Sequence, residues 1–496
     1  MRLFLVLLLF VFSISLAADQ NTGPQRPNIV WIIPDDMSAH FGCYGETAIE
    51  TPHVDWLASR GVKFTNAFVT APVCSTCRSA FITGMYQTSI GAHHHRSGRG
   101  EKKIVLPESV KLVPKLFQEA GYHTSISGWP GRKGRFGKTD YNFEWDRSVY
   151  DGADWSERED GQPFFAQIQT PGGKLRGKDP EGWEKVQKNA ESSLGSRTPD
   201  SAVKLPPYYP GHPDVVRDWA AYLDSVRLTD KMVGEVMARL EEEGILENTL
   251  VLFMTDHGIS HARGKQFLYD EGLHVPLVIA GPGIEPGSVR KDPVEHIDIA
   301  ALSLAAAGIP VPEAMQARDI LAKDYSPREA VFAARDRCDE TVDHMRSVRT
   351  PQFKYIRNFL PQRPYLQPCA YKDAKSILIA LRNWNEEGKL DKVQSLLFRE
   401  TRPVEELYDV LADPFEINNL ATDPKYAEAL EAMRGRLEGW MVKTNDLGRN
   451  PESEEMFNSD MKVYVDSIRA RQGDSDHLKT IRANIELMRE WAAEGK

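Results

Sequence analysis

Two stretches of this chain end in acid directly after an apolar run. NIVWIIPDDM carries Asp35 and Asp36, and NTLVLFMTDHG carries Asp256 and His257. Three carboxylates brought to one place repel one another strongly unless a cation sits among them. Hard oxygen donors of this kind suit calcium or magnesium. The competing reading has each acidic group capping the turn that follows it; a doublet plus an Asp-His, both placed immediately after apolar runs, favours the metal. A third stretch, APVCSTCRSAFITG, spaces Cys74 and Cys77 as C-x-x-C with Arg78 behind them. That spacing serves a redox couple, half of a zinc site, or one catalytic cysteine with an incidental neighbour.

The apolar runs that deliver these groups are continuous rather than alternating, as in strands buried on both faces of a parallel sheet. Helical patterns lie between and around them. TPHVDWLASRG opens at a capping residue, Thr51, and stops at Gly61; SVKLVPKLFQEAG stops at Gly121; WAAYLDSVRLTDKMVGEVMARLEEEG is a long amphipathic pattern ending at Gly244. This alternation predicts an α/β fold with helices on both faces of the sheet. In such folds ligands bind beyond the carboxyl ends of the strands, the edge at which these acidic groups lie. From about residue 331 the pattern changes. REAVFAARD, HMRSVRTPQFKYIRNF and EELYDVLAD read as short strands, PKYAEALEAMRGRLEGWMVKT as a helix, and the tail beyond Gly473 as one more helix. The expected organisation is a first domain over 19–330 and a smaller one over 331–496, of antiparallel strands packed with a helix.

At 496 residues, 41% hydrophobic and 27% charged, the chain has the make-up of a soluble globular protein of two or three domains. Its net charge of −10 gives no reason to expect nucleic acid as a partner. MRLFLVLLLFVFSISLAADQ has Arg2, an apolar run through Phe12 and small residues ending at Ala17 and Ala18, the pattern of a secretory signal over 1–18. The run falls short of the roughly 20 residues needed to span a bilayer. No later segment is apolar enough, so the mature protein is expected to be secreted or periplasmic, with no integral membrane segment. Thiols in such compartments tend to pair. Five cysteines (Cys43, Cys74, Cys77, Cys338 and Cys369) leave one over, which is reactive or modified. Cys338 and Cys369, both in the second domain, are candidates for pairing. Without a second nearby pair or spaced histidines the zinc reading weakens, and nothing supports a thioredoxin-like domain.

Taken together, NIVWIIPDDM, TPHVDWLASRGVKFTNAFVTAPVCSTCRSAFITG, TLVLFMTDHG, GKQFLYDEGLHVPLVIAGPG and ELYDVLADPFEINNLATDP resemble the calcium- and formylglycine-dependent sulfatases of the alkaline-phosphatase superfamily over roughly residues 26–445. HMRSVRTPQFKYIRNFLPQRP and the C-terminal block resemble the heparan N-sulfatase (sulfamidase) branch and related polysaccharide sulfatases. The resemblance implies a large mixed, mostly parallel sheet flanked by helices, one calcium ion, and hydrolysis of sulfate esters or N-sulfates of a sulfated oligo- or polysaccharide. It implies a formylglycine-generating maturation enzyme as a partner, with Cys74 as its target. A hydrated aldehyde offers one hydroxyl to attack sulfur, while the other loses a proton and expels sulfate.

The resemblance also assigns roles. Asp35, Asp36, Asp256, His257 and the modified Cys74 form the metal set. Arg78, four residues after Cys74, sits on the same side of a helix starting there and holds the diol. Lys265 in RGKQFLYDEG matches a sulfate-contacting basic position, and Lys138 in FGKTDYNF matches the lysine of the family's G-K-x-H. Three departures stand out. Thr76 replaces the usual proline or alanine of the maturation motif, with Cys77 as a bystander in a variable position. Asp140 replaces a histidine after Lys138. PGGKLRGK follows FFAQIQT where many members place a proton-donating histidine. Lys174, His261 and the run His93, His94 and His95 are candidate acids, against structural roles of equal weight. The basic loops HHHRSGRGEKK, GRKGRFGK and GGKLRGK are expected to rim the crevice and attract an anionic substrate. Two alternatives stay open: a phosphodiesterase or phosphonate hydrolase of the same superfamily, and a non-catalytic binder of sulfated glycans if Cys74 stays a thiol.

Overall fold

β1 (Asn28–Pro34), β4 (Phe164–Thr170) and β5 (Thr249–Met254) are buried along their whole length, which is why their sequences run apolar on both faces. In the computed structural model, which describes residues 26–496 apart from Lys133, they form the centre of an eight-stranded sheet. The signal read over 1–18 lies outside the described residues. The other strands of that sheet are β2 (Gly61–Phe68), β3 (His123–Ser127), β6 (His274–Ala280), β7 (Ser288–Arg290) and β8 (Val294–Glu295). The order is β3-β4-β1-β5-β6-β2-β7, with β8 also on β2. β1 is parallel to both β4 and β5, whereas β6 is antiparallel to both β5 and β2. A second sheet of β9 (Val331–Arg335), β10 (Met345–Arg349), β11 (Phe353–Asn358) and β12 (Glu405–Asp409) is antiparallel throughout.

One hydrophobic core runs through both sheets, from Ile32 and Phe253 to Val348, Leu407 and Leu437. The second sheet is joined to the first by backbone as well: Ala334 N–H donates to Thr70 O at 2.9 Å. The last two helices, Glu454–Gln472 and Asp476–Ala493, pack mainly on each other through Phe457, Met461, Leu478 and Ile481, with Ala370 beneath them. Among the described residues no helix is long and apolar enough to cross a membrane.

The long helix runs Pro213–Glu242, beginning before the amphipathic pattern did. Pro213 takes its first turn, where no N–H is needed, and His212 Nδ1 accepts from Asp214 N–H at 3.0 Å. The helix Pro52–Ser59 forms, but Thr51 does not cap it. Its hydroxyl accepts from Gly42 N–H at 2.8 Å instead, and Gly61 opens β2 rather than closing the helix. All five cysteines are unpaired. Cys338 and Cys369, candidates for a bridge, lie either side of the Gln266 amide, whose Nε2 is 3.1 Å from one sulfur and 3.7 Å from the other.

Candidate active site

The neighbouring strands β1 and β5 end together, and that pairing delivers the acidic groups. Past the strand ends, Asp256 N–H donates to Pro34 O at 3.0 Å and Met37 N–H to His257 O at 3.0 Å. Asp36 adopts φ 55°, a left-handed conformation that aspartate tolerates better than most residues, and its N–H donates to Asp256 Oδ1 at 3.0 Å. The chain leaving β4 closes over the same spot. Gly173 N–H donates to Asp35 O at 2.8 Å. A Cβ on Gly172 would lie 2.1 Å from Asp35 O, and one on Gly173 2.2 Å from Asp36 O. The two glycines of PGGK therefore let the backbone touch β1 and swing Lys174 into the site.

Cys74 opens the buried helix Cys74–Thr83, so its sulfur faces the electropositive N-terminal end. Cys74 Sγ lies 3.1 Å from His257 Nε2, 3.1 Å from Lys265 Nζ, 3.7 Å from Lys174 Nζ and 3.7 Å from Asp36 Oδ1. One donor atom each from Asp36, Cys74, Asp256 and His257 falls within 4.8 Å of all the others, and all four residues are buried. His257 Nδ1 is tied to Gly258 O at 2.9 Å, which leaves Nε2 to face this point. Asp35 stands beside the four rather than among them. Its carboxylate is gripped by Arg78 and Lys174 and lies 3.3 Å from Lys138 Nζ. Arg78 lies one turn along from Cys74, as its spacing predicted, and bridges Asp35 and Asp256 (3.1 Å to Oδ2).

The electrostatics are those of a site built for exchangeable charge. Burial opposes ionisation of the Cys74 thiol, but Lys138, Lys174 and Lys265 outweigh it and hold the thiol well below its ordinary range. Burial and the neighbouring Asp35 push Asp256 up to about 6. Burial disfavours a charged His257, yet the negative charges of Asp256, Cys74 and Asp36 lift it to about 10. Two carboxylates and an imidazole aimed at one point with residue 74 fit a divalent cation, which removes the carboxylate repulsion.

The candidate acids divide. Lys174 is at the centre. Asp140 pairs with Arg99 and lies 3.5 Å from Lys138 Nζ, with its carboxyl held far below the usual range against the effect of burial. His95 is buried, with Nδ1 on Ser75 Oγ at 2.7 Å. His261 is enclosed: Asp218 binds Nε2, and the ring stacks on Trp219 at 4.9 Å. His93 and His94 face the second sheet's charges, with His94 accepting from Arg337 N–H at 3.2 Å. Cys77 donates to Asp256 O, a structural contact, while Thr76 returns its hydroxyl to Val73 O at 2.8 Å. Of the basic loops, Lys138 and Lys174 reach the centre.

Sequence reasoning missed Gln169, which receives Arg78 and continues to Gln167 and Tyr150. Glutamines inside a strand buried on both faces were the available signal. It also missed Ser260, Tyr371 and Lys375, which have no local pattern.

Residues 27–309 match the family described as Sulfatase. The chain belongs to the sulfatase family. It is a sulfuric ester hydrolase of the alkaline-phosphatase-like superfamily. Residues 257–366 also match the family described as N-sulphoglucosamine sulphohydrolase, C-terminal. The sulfatase is 33% identical to an ulvan-active sulfatase of Formosa agariphila over 87% of this chain and 77% of that one. It is 28% identical to the N-sulphoglucosamine sulphohydrolase of Homo sapiens over 85% of this chain and 91% of that one. The solved structure of BT4656 in complex with its substrate D-glucosamine-2-N,6-O-disulfate shares the fold at a TM-score of 0.59 and 18% identity, covering 85% of this chain and 98% of that one.

Proposed function

We propose that this sulfatase removes sulfate from sulfated oligo- or polysaccharides, as O-sulfate esters or N-sulfates, after a maturation enzyme converts Cys74 to formylglycine. The observation that carries the reading is the convergence of Lys265, Lys174 and His257 on Cys74 Sγ. Two ammonium groups and an imidazole around one buried nucleophile position suit the negative charge on sulfonate oxygens during transfer better than a redox couple. The names of the two sequence relatives support a saccharide substrate, and the N-terminal signal pattern supports export to where such polymers are met.

Asp36, Asp256, His257 and residue 74 would hold one calcium ion, with Asp35 beside them. That ion would lower the pKa of a hydroxyl on residue 74 and polarise a sulfonate oxygen. The hydrated aldehyde would supply the attacking hydroxyl and a second one whose proton loss releases sulfate. Lys265 and Lys174 hold the sulfonate oxygens as mobile point charges. Arg78 fixes Asp35 and Asp256 with respect to the nucleophile.

Mass spectrometry of the peptide bearing residue 74 should show a loss of about 18 Da, the exchange of CH₂SH for CHO that arms the nucleophile. The matured enzyme should release sulfate from at least one saccharide in a panel carrying N-, 2-O-, 3-O-, 4-O- or 6-O-sulfate singly. An unmodified thiol in an active preparation, or turnover confined to aryl sulfates, would reject the reading.

A further inference from the structure

An alkoxide or amide is a poor leaving group, so a saccharide sulfatase needs a proton donor at the departing atom. The turn PGGK after β4 carries no histidine, and Lys174, shared between Asp35, Asp36 and Cys74 Sγ, serves the sulfonate and nucleophile side of the centre. His261 is sealed beneath Trp219. A different group stands beside Lys265. Tyr371, on the short helix Ala370–Asp373, enters from the chain beyond the second sheet's first three strands and is half-buried. Lys265 Nζ lies 5.3 Å from the centre of its ring and Lys375 Nζ 4.9 Å. Lys265 is the same ammonium that approaches Cys74 Sγ at 3.1 Å, so the phenol stands one side chain away from the reacting centre. Its hydroxyl is 3.3 Å from Ser260 Oγ. Ser260 Oγ in turn accepts from Lys375 Nζ at 2.6 Å, and Ser260 O accepts from the same ammonium at 2.8 Å. Phenol, hydroxyl and ammonium thus form one hydrogen-bonded line, two members of it buried and the outer member reaching solvent.

We propose that Tyr371 is the general acid that protonates the leaving group, and that Ser260 and Lys375 resupply its proton. The inference rests on the sulfatase reading above. In the step, the bond from sulfur to the leaving atom breaks and its electron pair stays on that atom. The phenol proton moves onto it, the Ser260 proton moves to the phenolate, and one ammonium proton of Lys375 moves to Ser260. Solvent at the half-buried Tyr371 then supplies a proton that passes back through Ser260 to Lys375. Burial works against an ionised phenol, yet the charges of Lys265 and Lys375 hold Tyr371 below its ordinary range, which strengthens it as a donor. Lys375 itself is lowered by burial, which eases its release of a proton.

The test uses the matured, metal-loaded enzyme and Tyr371→Phe, which keeps the ring between the two ammonium groups and removes only the hydroxyl. Sulfate release is measured on a series of aryl sulfates running from 4-nitrophenyl to phenyl sulfate, and on one saccharide sulfate that the wild type hydrolyses. The expected loss in kcat is on the order of a hundredfold or more for the saccharide, shrinking steadily as the leaving phenol becomes more acidic. Ser260→Ala should reproduce the same ordering with smaller losses. A loss of equal size across the whole series, or none anywhere, would overturn the assignment while wild-type turnover kept the sulfatase reading intact. Failure of the matured wild type to release sulfate from any ester would overturn both.

Discussion

Around the second sheet, Arg346 reaches Asp336 Oδ1 at 3.0 Å and Asp446 Oδ2 at 2.6 Å, and Arg402 meets both oxygens of Asp343 at 2.8 and 2.9 Å. Arg328 grips Asp298 twice at 2.7 Å. At Cys74 the same degree of burial is handled differently. Asp35 is shared by Arg78, Lys138 and Lys174, and Asp36 by Lys174, Lys265 and His257. The first arrangement uses planar guanidinium forks, each spent on one or two carboxylates in fixed geometry. The second uses mostly ammonium groups, which have no preferred partner and can turn to an incoming anion. Closed pairs hold elements together; open, shared ones wait for a ligand.

The sharpest break between the two regions comes from single substitutions. Cys74→Ala should remove turnover by on the order of 10⁶-fold, the loss seen when a covalent nucleophile is deleted, while circular dichroism and the urea midpoint stay close to wild type. A chelator should likewise abolish activity, with recovery on adding calcium and little effect from magnesium. Arg346→Met should do the reverse. Removing one member of a buried pair strands Asp336 and Asp446 and costs about 3–5 kcal/mol, read as a fall in the urea midpoint, although Arg346 contacts none of the residues at Cys74. A stability loss in Cys74→Ala as large as that in Arg346→Met would erase the distinction.

This contrast also marks what the sequence made legible. β1 and β5 were readable because burial on both faces leaves an unbroken apolar run, and Asp35, Asp36, Asp256 and His257 follow those runs directly. Cys74 and Arg78 were readable through the family resemblance, with which their spacing of one helical turn agrees. Lys375 and Tyr371 were not, since they reach the site by the path of the chain rather than by any local period. The helix Glu454–Gln472 was missed for a related reason: it buries Phe457, Met461 and Ile468 against another helix rather than the main core, so its apolar stripe is thin. Thr51 had the right type for a cap, but Gly42 N–H captured its hydroxyl. The Cys338–Cys369 pairing was suggested by compartment and count, neither of which carries the position of the Gln266 amide between the two sulfurs.

The open region should be sensitive to backbone position in a way the closed one is not. Gly172→Ala places a Cβ in a backbone at φ 52° and 2.1 Å from Asp35 O. The turn must retreat from β1, taking Lys174 with it. A displacement of about 1 Å at a positioned group costs roughly a hundredfold in rate. The kcat should fall by about that factor with the metal still bound, measured by calorimetric titration with calcium. Gly195→Ala also meets a positive φ, at 79°, but nothing lies within 4 Å of its added Cβ. It should leave kcat unchanged, which separates a local collision from general strain.

The smallest expected effect probes a charge that belongs to neither pattern. Glu340 is fully buried and, among the described residues, forms no ion pair with arginine or lysine. One oxygen accepts from Ala370 N–H at 2.6 Å and Asn484 Nδ2 at 3.0 Å, while Oε2 has no partner. Burial outweighs those two donors and pushes the carboxyl up to about 7 from an ordinary 4.5. Between those two values the folded protein holds the proton and the unfolded chain has lost it. The contribution to stability is therefore fully present below about pH 4.5 and disappears as the pH rises through 7. It amounts to about 2 kcal/mol between pH 5 and 8. The wild-type urea midpoint should carry this decline, and Glu340→Gln, which cannot titrate, should flatten it over that range. Parallel stability profiles for the two proteins from pH 5 to 8 would show that Glu340 is ionised in the fold, and that this buried carboxylate belongs with the closed pairs after all.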